Sequence, residues 1–346
     1  MVERQKVAIF GGGGFIGSNL GHRLSAAGYE CTLLDLVDNK LKLRFGNAPY
    51  RFDRCDISAD DDAVDAVVAD HDTVIHLAAH VHPSAFMHAP LDVVQLNLFD
   101  ALKVVDACAR HGRRLIHFST CEVYGKARGS AEPFNEDRSD CVLGPIGSHR
   151  WIYGCAKQLL DRIVHAHGLR GDLDYTIVRP FNFVGPLMDR LVRPTETDNP
   201  RVFAHFMSAL LFRRPMQLVD GGHSRRCFTY IDDGTAAIQR ILEEPVATRN
   251  QIVNIGNPAN ETTIRDLAHS MRAIYRREFE PAADVPIVDV DSRTFYGDGY
   301  EDCDRRVPDI GKLRALGWAP RFDLERTLVS SMRYFFTHRD ALLATL

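Results

Sequence analysis

The sequence predicts an α/β protein built on a doubly wound, parallel sheet. Short apolar runs alternate with longer helical stretches over the first half of the chain, which is the pattern of successive βαβ units. A glycine-rich turn joins the first apolar run to the first helical stretch, where such sheets commonly have one. We expect each crossover between parallel strands to be right-handed.

The predicted elements follow this alternation in order. Each predicted strand is short and rich in β-branched or apolar residues, as expected for a buried parallel strand. The predicted strands are Lys6–Phe10, Cys31–Asp35, Thr73–Leu77, Leu115–Ser119 and Tyr175–Arg179. The predicted helices are Phe15–Gly28, Asp61–Asp70, Pro90–His111 and Trp151–His167.

The pattern loosens after Pro180, where further prolines surround a predicted helix at Arg201–Phe212. Two later apolar runs, Cys227–Ile231 and Gln251–Ile255, are predicted to rejoin the sheet as strands. A smaller C-terminal lobe is therefore expected to be interleaved with the first domain instead of following a linker.

Composition indicates an ordinary globular protein. Of its 346 residues, 45% are hydrophobic and 25% charged, and the net charge of −4 lacks the basic excess of a nucleic-acid-binding protein. The eight cysteines are dispersed without a C-x-x-C pair, so neither a metal site nor a disulfide framework is indicated. Residues 1–6 are polar and the next apolar run is broken by glycines, which predicts neither a signal peptide nor a membrane span. We expect a cytoplasmic protein with no membrane or nucleic-acid partner.

The glycine-rich turn has the spacing Gly11-x-x-Gly14-x-x-Gly17, between a predicted strand and a predicted helix. Glycines there allow the backbone to approach a pyrophosphate, whose charge meets free N–H groups at the helix N-terminus. The residues predicted to contact the cofactor here are Gly11, Gly14, Phe15, Ile16 and Gly17. Asp35 ends the next strand, where a carboxylate can accept hydrogen bonds from adenine ribose hydroxyls, so NAD is favoured over NADP.

These features predict a dinucleotide-binding Rossmann domain. Asp56 and Ile57 follow a further short strand, and they either flank the adenine or form a plain loop. The NAD-binding domain is expected to span residues 1–185 and the substrate-binding lobe residues 186–346, with 225–260 returning to the Rossmann sheet.

Tyr153 and Lys157 are four residues apart on a predicted helix, so both side chains lie on one face. A free phenol has a pKa of about 10, so a tyrosine that acts as a base near pH 7 needs a shift worth roughly 4 kcal/mol. A lysine ammonium and a cationic nicotinamide can supply that shift. The pair alone is a common surface pattern, but behind a dinucleotide fingerprint it predicts a catalytic tyrosine and lysine.

These residues resemble the extended short-chain dehydrogenase/reductase family, and in particular its UDP-glucuronate decarboxylases and UDP-apiose/UDP-xylose synthases. The resemblance covers nearly the whole chain. It is carried by the segments Phe118–Lys126, Arg150–Gln158, Arg179–Asn182 and Phe295–Tyr300, with Asp302 and Arg306 following the last of these.

The resemblance implies oxidation at C4 of a UDP-sugar, UDP-glucuronate, followed by loss of its C6 carboxylate. Thr120 would bind the 4-OH, Tyr153 would remove its proton, and Lys157 would also hold the nicotinamide ribose of NAD. Arg306 would bind the carboxylate, because a guanidinium can hold it through two hydrogen bonds. Glu122 would either act as an acid or base with a raised pKa or orient a sugar hydroxyl.

Four further residues are matched to substrate binding by the same resemblance. Arg226 is placed on the UDP diphosphate, and Asn182 and Tyr300 on the substrate. Arg179 is a substrate-binding candidate that could equally be a buried structural partner. A homodimer is implied as well, through the helices predicted at Pro90–His111 and Trp151–His167.

The sequence departs from the apiose synthases in the loop after His80. Val81 stands where they have a cysteine and Phe86 where they have a tyrosine, whereas Cys121 matches them. Cys121 is therefore either catalytic or a buried, inert thiol. The product, whether UDP-xylose, UDP-4-keto-pentose or UDP-apiose, stays open.

Two other functions are compatible with parts of the pattern. A dehydratase or 4-epimerase would share the redox step without decarboxylation, although dehydratases usually have an aspartate where Cys121 lies. A non-catalytic NAD-binding sensor is the third possibility. The intact pair of Tyr153 and Lys157 argues against a sensor, because such a protein does not need to retain it.

Overall fold

A computed structural model describes residues 4–44, 49–127, 131–188, 191–193, 200–298 and 300–344. Its strands are β1 (Lys6–Phe10), β2 (Glu30–Asp35), β3 (Arg51–Arg54), β4 (Thr73–His76), β5 (Arg114–Phe118), β6 (Tyr175–Pro180), β7 (Phe183–Val184), β8 (Met216–Val219), β9 (Arg225–Cys227), β10 (Thr229–Tyr230), β11 (Gln251–Ile255), β12 (Glu261–Thr263), β13 (Ile287–Val290) and β14 (Arg305–Arg306).

The α-helices are α1 (Phe15–Ala26), α2 (Asn39–Arg44), α3 (Asp61–Asp70), α4 (Pro83–His88), α5 (Pro90–Val94), α6 (Ala101–His111), α7 (Ile152–Arg170), α8 (Val202–Leu211), α9 (Ile231–Glu243), α10 (Ile264–Glu278), α11 (Ser292–Tyr296), α12 (Gly311–Ala315), α13 (Leu324–Thr337) and α14 (Arg339–Ala344). A π-helical turn, Gln95–Asp100, joins α5 to α6. Short 3₁₀ turns lie at Cys121–Tyr124, His149–Trp151, Asp220–Gly222 and Pro258–Asn260.

Seven strands form one parallel sheet in the order β11-β6-β5-β4-β1-β2-β3. Alternate residues of a strand point to opposite faces. Ile9 and Ile116 accordingly pack in the core beneath α1 and α9, whereas Ala8 and Leu115 pack on the other face against α3, α6 and α7. The predicted doubly wound α/β fold is confirmed.

The predicted strands of the first half and the strand Gln251–Ile255 all lie in this sheet, with ends shifted by one residue at most. The predicted helix Pro90–His111 is interrupted by the π-helical turn. Inside that turn, the Asn97 side chain accepts from the His80 backbone N–H at 3.0 Å and donates to its carbonyl at 2.9 Å. This tertiary contact carries no signal in the local sequence.

The prediction that Cys227–Ile231 rejoins the sheet is wrong. The run divides at Phe228, so that β9 pairs with β12 and β14, β10 pairs with β7, and Ile231 begins α9. Ion pairs that extend from β9 account for the difference. Glu261 on β12 binds Arg225 at 2.7 Å and Arg305 on β14 at 2.8 Å, which stabilises the three short strands together.

The pairing of β9 with β14 also sets the geometry of the site, because it places Arg226 beside Arg306 in register. All eight cysteines are free thiols. Across the described ranges, no helix is both long and apolar enough to span a membrane.

Candidate active site

The glycine-rich turn packs so closely that side chains would not fit. A Cβ on Gly17 would lie 2.2 Å from the Gly11 carbonyl oxygen, and Gly11 itself has φ of +82°. Helix α1 begins at Phe15 without a side-chain cap, so its first N–H groups are available to a ligand. The turn therefore fits the pyrophosphate of a dinucleotide.

Asp35 ends β2 directly beside this turn. Its carboxylate accepts from the Gly13 N–H at 3.0 Å and from the Leu36 N–H at 2.7 Å. Burial raises the pKa of the Asp35 carboxyl, and these backbone donors oppose that shift. A carboxylate so placed fits the adenine ribose hydroxyls of NAD.

Asp56 and Ile57 follow β3 at the same edge of the sheet. The Asp56 carboxylate accepts from the backbone N–H of Ser58 at 2.9 Å and from its hydroxyl at 2.6 Å, and Ile57 is buried. Neither is among the residues that line the main cavity. Their contact with adenine stays a prediction.

A cavity of about 990 Å³ opens over the carboxyl ends of β1, β4 and β5, between the sheet and the second lobe. Ligands of such sheets bind at this edge. The cavity brings together most of the predicted site residues: Gly11, Gly14, Phe15, Ile16, Gly17, Thr120, Cys121, Glu122, Tyr153, Lys157, Asn182, Arg226, Tyr300 and Arg306.

Arg179 is not among the described residues that line the cavity. Its guanidinium donates to the Asp161 carboxylate at 3.0 Å and lies 4.7 Å from the ring of Tyr124. Since both contacts are buried behind the site, the alternative of a structural partner describes Arg179 better than direct substrate binding.

Tyr153 and Thr120 meet at the wall of the cavity. The two side chains share a hydrogen bond, and the Thr120 hydroxyl also accepts from the Glu122 N–H at 3.1 Å. The ring of Phe86 stacks on the Tyr153 ring with centroids 4.9 Å apart. Burial and the Glu122 carboxylate raise the pKa of the Tyr153 phenol, while the bond with Thr120 lowers it. A phenolate therefore requires additional positive charge near the ring.

Lys157 is the nearest such charge on the same helix. It is buried, and its Nζ donates to the Phe118 carbonyl at 3.1 Å. Burial lowers the pKa of the Lys157 ammonium to about 8, against the opposing effect of Asp161. The lysine therefore lies close to its own titration point at neutral pH.

A buried arginine cluster occupies the substrate side of Tyr153. We use this name for Arg150, Arg226 and Arg306 together with the carboxylates of Glu122 and Asp302. The Glu122 carboxylate accepts hydrogen bonds from both terminal nitrogens of Arg306, one of them at 3.1 Å. It also forms an ion pair with Arg150 at 2.6 Å. Asp302 binds Arg226 at 2.5 Å and Arg306 at 3.1 Å.

The arginine cluster holds three guanidinium groups and two carboxylates, which leaves one positive charge unbalanced. Arg150 is only 5% exposed, and its Nε and Nη1 atoms have no hydrogen-bond partner among the described residues. The Nε atom of Arg306 also lacks one. Buried donors of this kind are normally satisfied by water or by a ligand, and an anion could accept hydrogen bonds from them.

Glu122 and Cys121 differ in protonation. Burial alone would raise the pKa of the Glu122 carboxyl, but Arg150 and Arg306 outweigh it and hold that pKa below its ordinary value. Glu122 therefore lacks the raised pKa that an acid role requires, which favours an orienting role. Burial raises the pKa of the Cys121 thiol to about 11, so Cys121 is a thiol at neutral pH.

Arg150 and Asp302 were not predicted as functional residues. The signal for Arg150 is its position three residues before Tyr153, which places both side chains on the same side of the turn that opens α7. Asp302 is four residues before Arg306. Neither spacing predicts a functional residue by itself, because the contacts of these side chains form only when the second lobe is folded onto the sheet.

The glycine turn, the carboxylate of Asp35 and the buried Tyr153 and Lys157 define a nicotinamide-dependent enzyme of the short-chain dehydrogenase type. The NAD-dependent epimerase/dehydratase family matches residues 7–256, and the chain belongs to that family. Its cofactor is NAD.

Similar proteins cover nearly the full length of the chain. A UDP-D-apiose/UDP-D-xylose synthase from Oryza sativa subsp. japonica is 40% identical, over 97% of this chain and 90% of the relative. UDP-D-apiose/UDP-D-xylose synthase 1 from Arabidopsis thaliana is also 40% identical, over 96% and 92%. Among solved structures, the PbgP3 protein from Burkholderia pseudomallei superposes with a TM-score of 0.87 at 32% identity, covering 99% of this chain and 100% of that one.

We expect Gly17→Ala to weaken NAD binding at least tenfold, because the added Cβ would collide with the Gly11 carbonyl that shapes the pyrophosphate cradle. Isothermal titration with NAD⁺ measures the effect. Gly147→Ala is the matched control, since a Cβ there meets nothing within 4 Å. Equal affinities for the two variants would contradict the assignment of the turn.

Proposed function

We propose that this enzyme oxidises UDP-glucuronate at C4 and decarboxylates it, a carbon–carbon lyase reaction that depends on NAD. The observation that carries the proposal is the unbalanced positive charge of the arginine cluster beside Tyr153. A uronic acid brings one carboxylate, which would balance that charge, whereas the sugar of an ordinary epimerase or dehydratase substrate is neutral. The relatives named as UDP-D-apiose/UDP-D-xylose synthases support the nucleotide.

In the proposed reaction, Thr120 orients the 4-OH and Tyr153 accepts its proton. Bound NAD⁺ supplies the acceptor for the C4 hydride. The resulting ketone is β to the C6 carboxylate, so CO₂ can leave while the electron pair of the broken C5–C6 bond becomes an enolate. A proton taken up at C5 gives UDP-4-keto-pentose, and return of the hydride to C4 with the proton to its oxygen gives UDP-xylose. Lys157 holds positive charge near the phenolate, which lowers the free energy of removing the proton.

We propose that the substrate carboxylate binds to Arg150 and to the free Nε of Arg306. This arrangement differs from a carboxylate held by Arg306 alone, because two terminal nitrogens of Arg306 already bind Glu122. Glu122 then fixes the guanidinium planes instead of transferring protons. Asn182 and Tyr300 line the same cavity and are proposed to hold the rest of the UDP-sugar, while Arg226 lines it as a member of the arginine cluster, bound to Asp302.

The product is proposed to be UDP-4-keto-pentose or UDP-xylose instead of UDP-apiose. Ring contraction requires opening the sugar ring, for which polar groups would be needed near C2 and C3. The loop after β4 instead presents Val81 and Phe86, which pack with Tyr153 in one apolar cluster. Cys121 lies in the cavity as a neutral thiol.

The enzyme should release CO₂ from UDP-glucuronate in the presence of NAD⁺, and NMR of the mixture should show a five-carbon sugar nucleotide with little apiose. Tyr153→Phe should lower kcat by about 10²–10⁴-fold while leaving NAD⁺ binding intact, since the phenol transfers the proton. No CO₂ release by the parent enzyme would refute the proposal. A six-carbon epimer as the main product would favour the alternative activity.

Arg150→Met should raise the dissociation constant for UDP-glucuronate about 10- to 100-fold, because charge-assisted hydrogen bonds contribute about 1.5–3 kcal/mol. UDP-glucose, which lacks the carboxylate, should bind within about threefold of its affinity for the parent protein. Arg225→Met serves as the control, since Arg225 pairs with Glu261 and is not among the cavity-lining residues. Equal losses for both nucleotides would show that Arg150 does not recognise the carboxylate.

We also propose a cytoplasmic homodimer. The free thiols suit a reducing compartment. Leu91 on α5, Phe99 in the π-helical turn and Leu159 on α7 are 79%, 55% and 48% exposed, on segments that pack against one another. Apolar side chains grouped in this way are typical of a subunit interface.

Phe99→Glu combined with Leu159→Glu should convert the dimer to a monomer, because buried carboxylates would face each other across a two-fold interface. Size-exclusion chromatography with light scattering reports the mass. Leu169→Glu is the control, as Leu169 is 77% exposed at the far end of α7. A monomeric parent protein, or a double variant that stays dimeric, would disprove this interface.

A further inference from the structure

A second buried polar group lies behind Lys157, on the side away from the cavity. His76 on β4 and His117 on β5 are fully buried, with ring centroids 5.8 Å apart. Asp161 lies one helical turn beyond Lys157, and its Oδ1 atom is 3.7 Å from Nε2 of His117. We refer to His76, His117 and Asp161 as the rear cluster. Of the predicted substrate-binding residues, Arg179 binds this cluster, through Asp161.

The rear cluster contains unsatisfied polar atoms. All four ring nitrogens and Oδ1 of Asp161 have no hydrogen-bond partner within the described part of the chain. Leaving a buried polar atom unpaired costs about 1–3 kcal/mol, so such atoms are normally bridged by internal water. The rear cluster is therefore a buried polar region, and side-chain packing alone does not explain why polar groups lie there.

The charges around Lys157 come from four elements. On α7, Tyr153 and Asp161 face it, and strands β4 and β5 contribute the two histidines. Strand β6 contributes Arg179, which binds Oδ2 of Asp161 at 3.0 Å together with the Ser119 hydroxyl at 2.9 Å.

Only one of these groups is negative. Burial and Lys157 lower the pKa of His76 to about 3 and hold that of His117 well below its usual range, so both rings are neutral. Burial raises the pKa of the Asp161 carboxyl, but Arg179, Ser119 and Lys157 oppose that shift. Because a guanidinium binds it directly, Asp161 is a carboxylate. Its ion pair is with Arg179, but it also lies one helical turn from Lys157, and in the buried interior its negative charge favours the charged form of the lysine.

We propose that Asp161 is a positioning residue that keeps Lys157 charged in a site without bulk water. The neutral histidines line the same buried space with polar groups that do not compete with the lysine for protons. The inference deepens the proposed function and rests on it. Asp161 touches neither substrate nor cofactor in this account, and acts on Tyr153 through Lys157.

Loss of the Asp161 carboxylate would change how protons are shared between Lys157 and Tyr153. Burial lowers the pKa of Lys157 to about 8 even with Asp161 present, so removing the carboxylate lowers that pKa further. Lys157 then gives up its proton more readily than in the parent enzyme, and Tyr153 less readily. The active form, with a phenolate and a charged lysine, becomes a smaller fraction of the enzyme at every pH.

Asp161→Asn tests the proposal through two measurements. In the pH profile of kcat, the rise should level off at a lower pH and at a lower plateau than in the parent enzyme. The ionisation of Tyr153 in the NAD⁺ complex should shift the opposite way, to higher pH. It is followed by tyrosinate absorbance, with Tyr153→Phe as the blank.

Ser119→Ala is the matched control, because it removes a bond to the same carboxylate without changing charge. In this control variant, the pH at which kcat levels off should be the same as in the parent enzyme. If Asp161→Asn fails to fold, the double variant Asp161→Asn with Arg179→Gln removes both buried partners together. Because one charge of each sign is lost, the two shifts should keep their direction but be smaller than those expected for Asp161→Asn.

A uniform loss of kcat at all pH values, with the Tyr153 ionisation unmoved, would show that Asp161 is merely structural and would overturn the inference. The absorbance measurement needs no turnover. An enzyme inactive on UDP-glucuronate would therefore refute the proposed function while leaving the role of Asp161 open to its own test.

Discussion

Buried charge at the carboxyl edge of the sheet is the constraint on which the site depends. Glu122 follows β5, whereas Arg306 belongs to β14 of the second lobe, so their ion pair joins the two parts across the cavity. Breaking such a pair costs about 3–5 kcal/mol, because the remaining charge stays buried. The same contacts that hold the second lobe in place therefore leave one positive charge of the arginine cluster unbalanced.

Tyr153 lies between two buried ionic groups with different tasks. The arginine cluster carries excess positive charge toward the cavity, and Asp161 supports Lys157 from behind. Burial makes the Tyr153 phenol a weaker acid, so its reactivity depends on positive charges fixed before substrate arrives. In the proposed reaction, proton removal and carboxylate binding are thus prepared by charges of the folded protein.

The sequence predicted those features whose signal is local. The turn from Gly11 to Gly17, with a strand before it and a helix after it, is complete within a few residues. The run Cys227–Ile231 was misassigned because its pairing depends on Glu261, which is distant in sequence. Arg150 was missed for the same reason, since its meaning comes from Glu122 and from the lobe that closes over both. The local sequence pattern predicts the helices and strands, whereas the partners of buried charged side chains are known only from the folded structure.

In the proposed function, the unbalanced guanidinium charge recognises a carboxylate on the sugar. The most direct measurement is calorimetric binding of UDP-glucuronate and UDP-xylose, which differ only in that carboxylate, to the Tyr153→Phe variant loaded with NAD⁺. We expect UDP-glucuronate to bind at least tenfold more tightly, with the difference retained at high salt because the site is buried. Equal affinities for the two nucleotides would contradict it.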